Sequence, residues 1–103
     1  GADLSSINLS MADLSQANLA GATMKQAMLR GADLRGASLH RANLFFAGLR
    51  GAHLQGADLR EADLAEADLM DAELTGADLQ GARYNSHTRW PIGFDPKAAG
   101  AIL

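Results

Sequence analysis

The three histidines of this 103-residue chain, His40, His53 and His87, and the carboxylates near them are the residues suited to acid–base or metal chemistry. His53 stands twenty residues after Asp33 and twenty before Glu73. An imidazole between two carboxylates is a proton-transfer or metal-ligand set, provided the fold gathers all three in a pocket that excludes water. His40 stands twenty residues before Arg60, and neither it nor His87 has an evident chemical partner. There is no cysteine, which excludes disulfides and thiolate metal sites. No nucleophile–base pair, phosphate loop or zinc spacing occurs. Whether His53 meets its carboxylates depends on the elements that carry them.

Those elements follow from a repeat. Leu occurs at 4, 9, 14 and 19, Met at 24, and Leu again at every fifth residue from 29 to 79, with Tyr84 as a terminal variant. Ala precedes each by two residues from Ala2 to Ala82, with Ile7 the one exception. Asp or Asn lies between them in ten of the seventeen repeats. The 21 Ala and 16 Leu, set against three Ile and no Val, would favour helix on composition. The period excludes it. Five residues rotate a helix of ~3.6 residues per turn by about 500°, so successive Leu side chains diverge by about 140°. A flat strand fails too, because an odd step alternates faces. A chain that bends once per repeat presents every Leu and Ala inward.

The remaining positions support bending. Seven of the eleven glycines fall two residues after the central Leu or Met, where a positive φ permits a tight turn. Asp and Asn before the Leu can hydrogen-bond to nearby backbone and stabilise that turn. The tandem Ala-Asp/Asn-Leu-X-X resembles the pentapeptide repeat family over residues 1–86. That resemblance implies an all-β, right-handed quadrilateral β-helix of about four coils, with four repeats per coil and the Leu and Ala inside. Neighbouring coils ~4.8 Å apart predict a rod on the order of 20 Å long before its cap.

Residues 87–103 read as a C-terminal cap. Tyr84, Trp90, Ile92 and Phe94 are expected to cover the last coil, Trp90 as a plug and not a ligand platform. Asp95-Pro96 resembles an N-cap and first helical position, which predicts a short helix from Pro96 to about Leu103. The segment from Tyr84 to Pro96 also resembles the tails of cyanobacterial pentapeptide repeat proteins. No comparable cap precedes the first coil, so either upstream sequence or another chain is expected to cover it.

With the core assigned, function falls to the outward positions, where residues twenty apart stack. Phe45 and Phe46 are the only aromatic residues of the regular repeats and should face solvent. With the column that holds Arg30 and Arg50 they form the candidate interaction surface. Residues 21–56 carry five basic residues against one acidic, and residues 57–81 carry eight acidic against one basic. Arg41 and Glu61 share a column and are expected to pair. His53 would lie ~4.8 Å from its carboxylates on a convex face without a pocket, a poor setting for chemistry.

The reading is therefore a non-enzymatic scaffold or protein-binding module without cofactor or metal, its partner a protein. A homodimer through the uncapped coil end or the Phe45/Phe46 face is the self-associating form. The alternative is DNA mimicry toward gyrase or another topoisomerase, as the family's gyrase-interacting members imply. The modest net charge of −3 and the arginines of the middle section depart from that pattern. Direct nucleic-acid binding is not expected, and no apolar run reaches the ~18 residues of a membrane helix. No targeting pattern opens the chain, which starts at Gly1 without Met, so the cytoplasm is the default expectation.

Overall fold

A computed structural model describes residues 2–103. Its architecture follows from where the five amides of one repeat find acceptors. In the repeat Ala32–Gly36, the Ala32 amide donates to Leu29 O (3.0 Å) and closes the preceding corner. Asp33 N donates down to Ala12 O (2.9 Å), while Leu34 N and Gly36 N donate up to His53 O (2.7 Å) and Gln55 O (3.0 Å). That leaves the Arg35 amide, which donates to the Asp33 carboxylate at 3.1 Å. No backbone acceptor lies within its reach at a corner, so a short acceptor side chain two residues earlier supplies one. All ten Asp and Asn residues of the repeat make this bond, from Asp3 to Ser5 through Asp78 to Gln80.

Parallel bridges connect residues twenty apart and sort them into four faces. The first face runs Asp3, Thr23, Asn43, Asp63, Arg83; the second Asn8, Met28, Gly48, Asp68; the third Asp13, Asp33, His53, Glu73; the fourth Asn18, Ser38, Asp58, Asp78. Four repeats thus make one coil of a four-sided β-helix. The described residues measure 29 × 20 × 20 Å.

Each corner has its third turn residue at positive φ, between 58° and 73° in the repeats. Seven of these are Gly, but nine are not, Arg41, Phe46 and Glu66 among them. Inside, Leu and Ala from Ala22 to Leu69 are almost wholly buried, with Met24 taking a Leu place without exposure. Leu4, Leu9, Leu14 and Leu19 are only half-buried, since no described residue covers the first coil from below. Ile7 occupies an Ala position in that same coil and is 36% exposed.

The C-terminal segment departs from expectation in two places. The helix from Pro96 to Leu103 is absent: one turn forms and stops. Asp95 caps it, its carboxylate accepting from Lys97 N (3.1 Å) and Ala98 N (3.3 Å). Gly100, at φ 90°, ends it, with Gly100 N bonded to Lys97 O and Ala101 N to Pro96 O, the paired bonds of a Schellman motif. The chain then returns to the rod, where Ile102 bridges Arg83 and the buried Ala101 fills an Ala position. Ile92 is likewise not a cap residue, being 93% exposed. It sits at the apex of a turn closed by Phe94 N to Pro91 O (3.0 Å), with Gly93 at φ 84°, and a side chain there points outward. Tyr84, Trp90 and Phe94 do pack on the core. Trp90 meets Tyr84 edge-on at 5.6 Å and stacks on Phe94 at 5.1 Å.

Candidate functional site

The histidine candidate assembles only in part. His53 Nδ1 lies 3.2 Å from Glu73 Oε1, and Gln55 donates to the other Glu73 oxygen at 3.0 Å. Asp33 makes no hydrogen bond to His53 and is gripped instead by Arg35 through Nε (2.8 Å) and Nη2 (2.6 Å). Those bonds hold its carboxyl down at about 2. Among the described residues no three metal-ligating side chains converge. His87, for which the sequence offered no partner, has one: its Nδ1 lies 2.7 Å from Glu66 Oε2. Arg41 pairs with Glu61 at 2.8 Å, as their shared column requires.

A different feature emerges on the second face, a cleft of about 670 Å³. It is lined by Phe46 and Glu66 from the corner before the face, by Asp68 and Arg89 on the face's own column, by Arg50 from the corner after it, and by Ser86, His87 and Thr88 from the following loop. The closure arises from an insertion. Thr88-Arg89-Trp90 repeats the Ala-Asp-Leu pattern one residue late, so Arg89 bridges Asp68 across twenty-one positions. Asn85 absorbs the extra residue. Its side-chain oxygen accepts from the amides of Glu66, His87 and Thr88, each at 3.1 Å, and its Nδ2 donates to Glu66 at 2.7 Å. The Thr88 hydroxyl, buried in an Ala position, donates to Leu64 O at 2.9 Å.

Polar side chains within the cleft are mostly bonded to one another. Asp68 accepts two bonds from Arg50, at 2.9 and 3.2 Å. Glu66 is held by His87 and then Asn85, which together keep its carboxyl below the ordinary range. Arg89 has no hydrogen-bond or ion-pair partner for its guanidinium among the described residues.

The pentapeptide-repeat model matches residues 1–36 and 47–83, most of the chain, in eight copies. The chain belongs to the pentapeptide repeat family. It is similar to the pentapeptide repeat protein Rfr23 from the cyanobacterium Cyanothece 51142, with 39% identity over 85% of this chain and a TM-score of 0.85. It is also similar to alr5209 from Nostoc PCC 7120, with 40% identity over 91% of this chain and 82% of that one, at a TM-score of 0.68. A third similarity, 32% identity over 85% of this chain at a TM-score of 0.65, is to HetL from Nostoc sp. PCC 7120. The chain spans 60% of Rfr23 and 46% of HetL. Comparison with curated proteins found no match.

On this pentapeptide repeat rod, Phe46 and Arg50 line the same cleft, while Phe45 stands beside Phe46 outside it, ring centroids 6.0 Å apart. Phe45 and Phe46 are 37% and 54% exposed. Arg30 lies one coil away from Arg50, with no carboxylate partner among the described residues. Sequence reasoning missed His87, Thr88 and Arg89. The signal was present in Thr88-Arg89-Trp90, a displaced copy of the repeat, hidden by its one-residue slip.

Proposed function

We propose that this pentapeptide repeat protein is a non-enzymatic binding scaffold whose protein partner engages the second face and the corner carrying Phe45 and Phe46, with Arg30 and Arg50 beside them. The observation that carries the reading is Phe46 itself. It occupies a corner at φ 61°, where glycine stands in seven repeats and no other aromatic does. The left-handed conformation costs a non-glycine residue about 1–2 kcal/mol. The ring gains little burial in return, being more than half exposed. Exposed aromatic side chains beside arginines, next to a cleft, have the composition of a contact surface.

A photoreactive benzoylphenylalanine in place of Phe46, compared with one in place of Ser38 on the opposite face, tests this in extract of the source cell. Crosslinking to a discrete protein from position 46 alone, weakened by Arg50→Gln, supports the reading. Equal crosslinking from both positions, or none from 46, overturns it. DNA mimicry toward gyrase draws less support, because six of the eight carboxylates in residues 57–81 lie within 3.9 Å of an arginine or histidine nitrogen. Supercoiling by gyrase that continues in a large molar excess of this protein excludes that alternative.

A further inference from the structure

We infer that the cleft between Phe46 and the Asn85–Arg89 loop is a peptide-binding site that selects an acidic residue beside an apolar one. This rests on the second face being the partner surface and names the chemistry of what that partner inserts.

Three observations lead to it. The first is that, of the two arginines and two carboxylates lining the cleft, only Arg89 has no hydrogen-bond or ion-pair partner among the described residues. Glu66 is engaged by His87 and Asn85, and Asp68 by Arg50, which leaves Arg89 as the group seeking an anion. A guanidinium offers five donors in a planar fork that matches a carboxylate. The second is an apolar surface within the same cleft, the exposed ring of Phe46 among its lining residues. A ligand that satisfies both groups carries its anion and its apolar portion close together, which adjacent residues of a peptide do. The third is that the loop is built rigidly. Asn85 holds three amides and the Glu66 carboxylate, and the Thr88 hydroxyl fastens the loop to Leu64 O. A cleft already in its bound shape loses less entropy when a ligand enters.

Gly48 adds to the argument. It lies on the second face directly before Asp68 in the bridge column, without a positive φ, and a methyl group there would approach nothing closer than Ala27 O at 4.0 Å. Neither backbone conformation nor packing demands glycine. Its effect is to leave the face flat between Phe46 and Arg50, so that a peptide can approach the cleft along it.

The test titrates the peptide acetyl-Asp-Phe-Asp-amide into the whole chain, with acetyl-Asn-Phe-Asn-amide as the neutral isostere, and follows backbone and arginine side-chain resonances by NMR. The expected result is saturable shifts at Phe46, His87, Thr88 and the Arg89 side chain, with the Asn peptide at least tenfold weaker. Arg89→Gln and Phe46→Ser should each weaken the acidic peptide at least fivefold, and Arg35→Gln, outside the cleft and bonded to Asp33, should leave it unchanged. The Leu64 and Thr88 amide shifts in the free variants report that the loop is intact. Equal binding of the two peptides, shifts away from the cleft, or an identical response to inorganic phosphate alone would overturn the inference. Loss of peptide binding with position-46 crosslinking intact removes the acidic-peptide chemistry and leaves the partner surface standing. Loss of both removes both.

Discussion

Arg89 faces Asp68 across a parallel bridge at a separation of twenty-one residues, where every earlier bridge spans twenty. The surplus residue is held by the Asn85 side chain, which accepts three amide bonds and donates a fourth to Glu66. Asn85→Ala leaves these groups to water or unpaired. The expected cost is about 1–3 kcal/mol, seen as a lower urea midpoint. Amide exchange should quicken at Glu66, His87 and Thr88 while Leu34 and Leu39, two coils away, keep their relative order of protection. Uniform loss of protection along the rod would show instead that the insertion controls the whole stack.

Two glycines separate conformational need from space. Gly51 sits at a corner with φ 70°, and nothing lies within 4 Å of the place an alanine methyl would take, so Gly51→Ala costs only the left-handed backbone penalty, about 1–2 kcal/mol. Gly48 has ordinary φ and open surroundings, so Gly48→Ala should be neutral or stabilise by about 0.4–1 kcal/mol through the unfolded chain. Thermal unfolding of the two variants under one buffer checks the contrast. Similar effects in both would mean that the positive φ of Gly51 does not set the cost at the corner.

Most of the rod was legible because each repeat solves the same small problem. Leu34 and Ala32 reveal the core, and the glycine phase reveals the corner. Asp33 before Leu34 reveals the one amide without a backbone acceptor. The terminal segment was less legible for an equally physical reason. Thr88-Arg89-Trp90 re-enters the coil one residue late, and periodicity read in strict phase ends at Tyr84. Gly100 was the other overlooked signal: the Asp95-Pro96 start is real, but a glycine five residues on terminates the turn through its positive φ. The surface was legible only as columns. Phe46, Glu66 and Ser86 fall in one column by counting in twenties, whereas the approach of Arg89 depends on the insertion.

Acid should weaken the coil in a defined window. Asp33 and Asp58 have folded carboxyl values of about 2 against an ordinary 3.8, first through side-chain bonds from Arg35 and Arg60. A depressed folded value means their contribution is complete above about pH 4 and disappears as pH falls toward 2. Stability should therefore decline over that interval. Arg60→Gln should move the Asp58 midpoint upward and leave Asp33 unchanged, as followed by carbon-detected NMR of the carboxyl groups. A midpoint for Asp58 that ignores the substitution would place the cause in the corner amide, since Arg60 N also donates to it.

Core substitutions should cost less toward the uncovered first coil. Leu49 has no exposed surface, with coils stacked on both sides, whereas Leu9 is half-buried with a coil on one side only. Leu49→Ala opens a cavity that its ladder-bonded neighbours cannot close, and a loss of about 3–5 kcal/mol is expected. Leu9→Ala removes contacts to one layer and exposes what was partly wet, so less than half that loss is expected. Because each coil touches only its neighbours, the Leu49 variant should also uncouple the two ends of the rod. Hydrogen exchange would then show the first two coils opening separately from the Trp90-capped end, and Leu9→Ala should raise exchange only in the first coil and the coil stacked on it. If the two substitutions lowered stability equally, the half-exposed Leu9 would have to be covered in solution by a further layer.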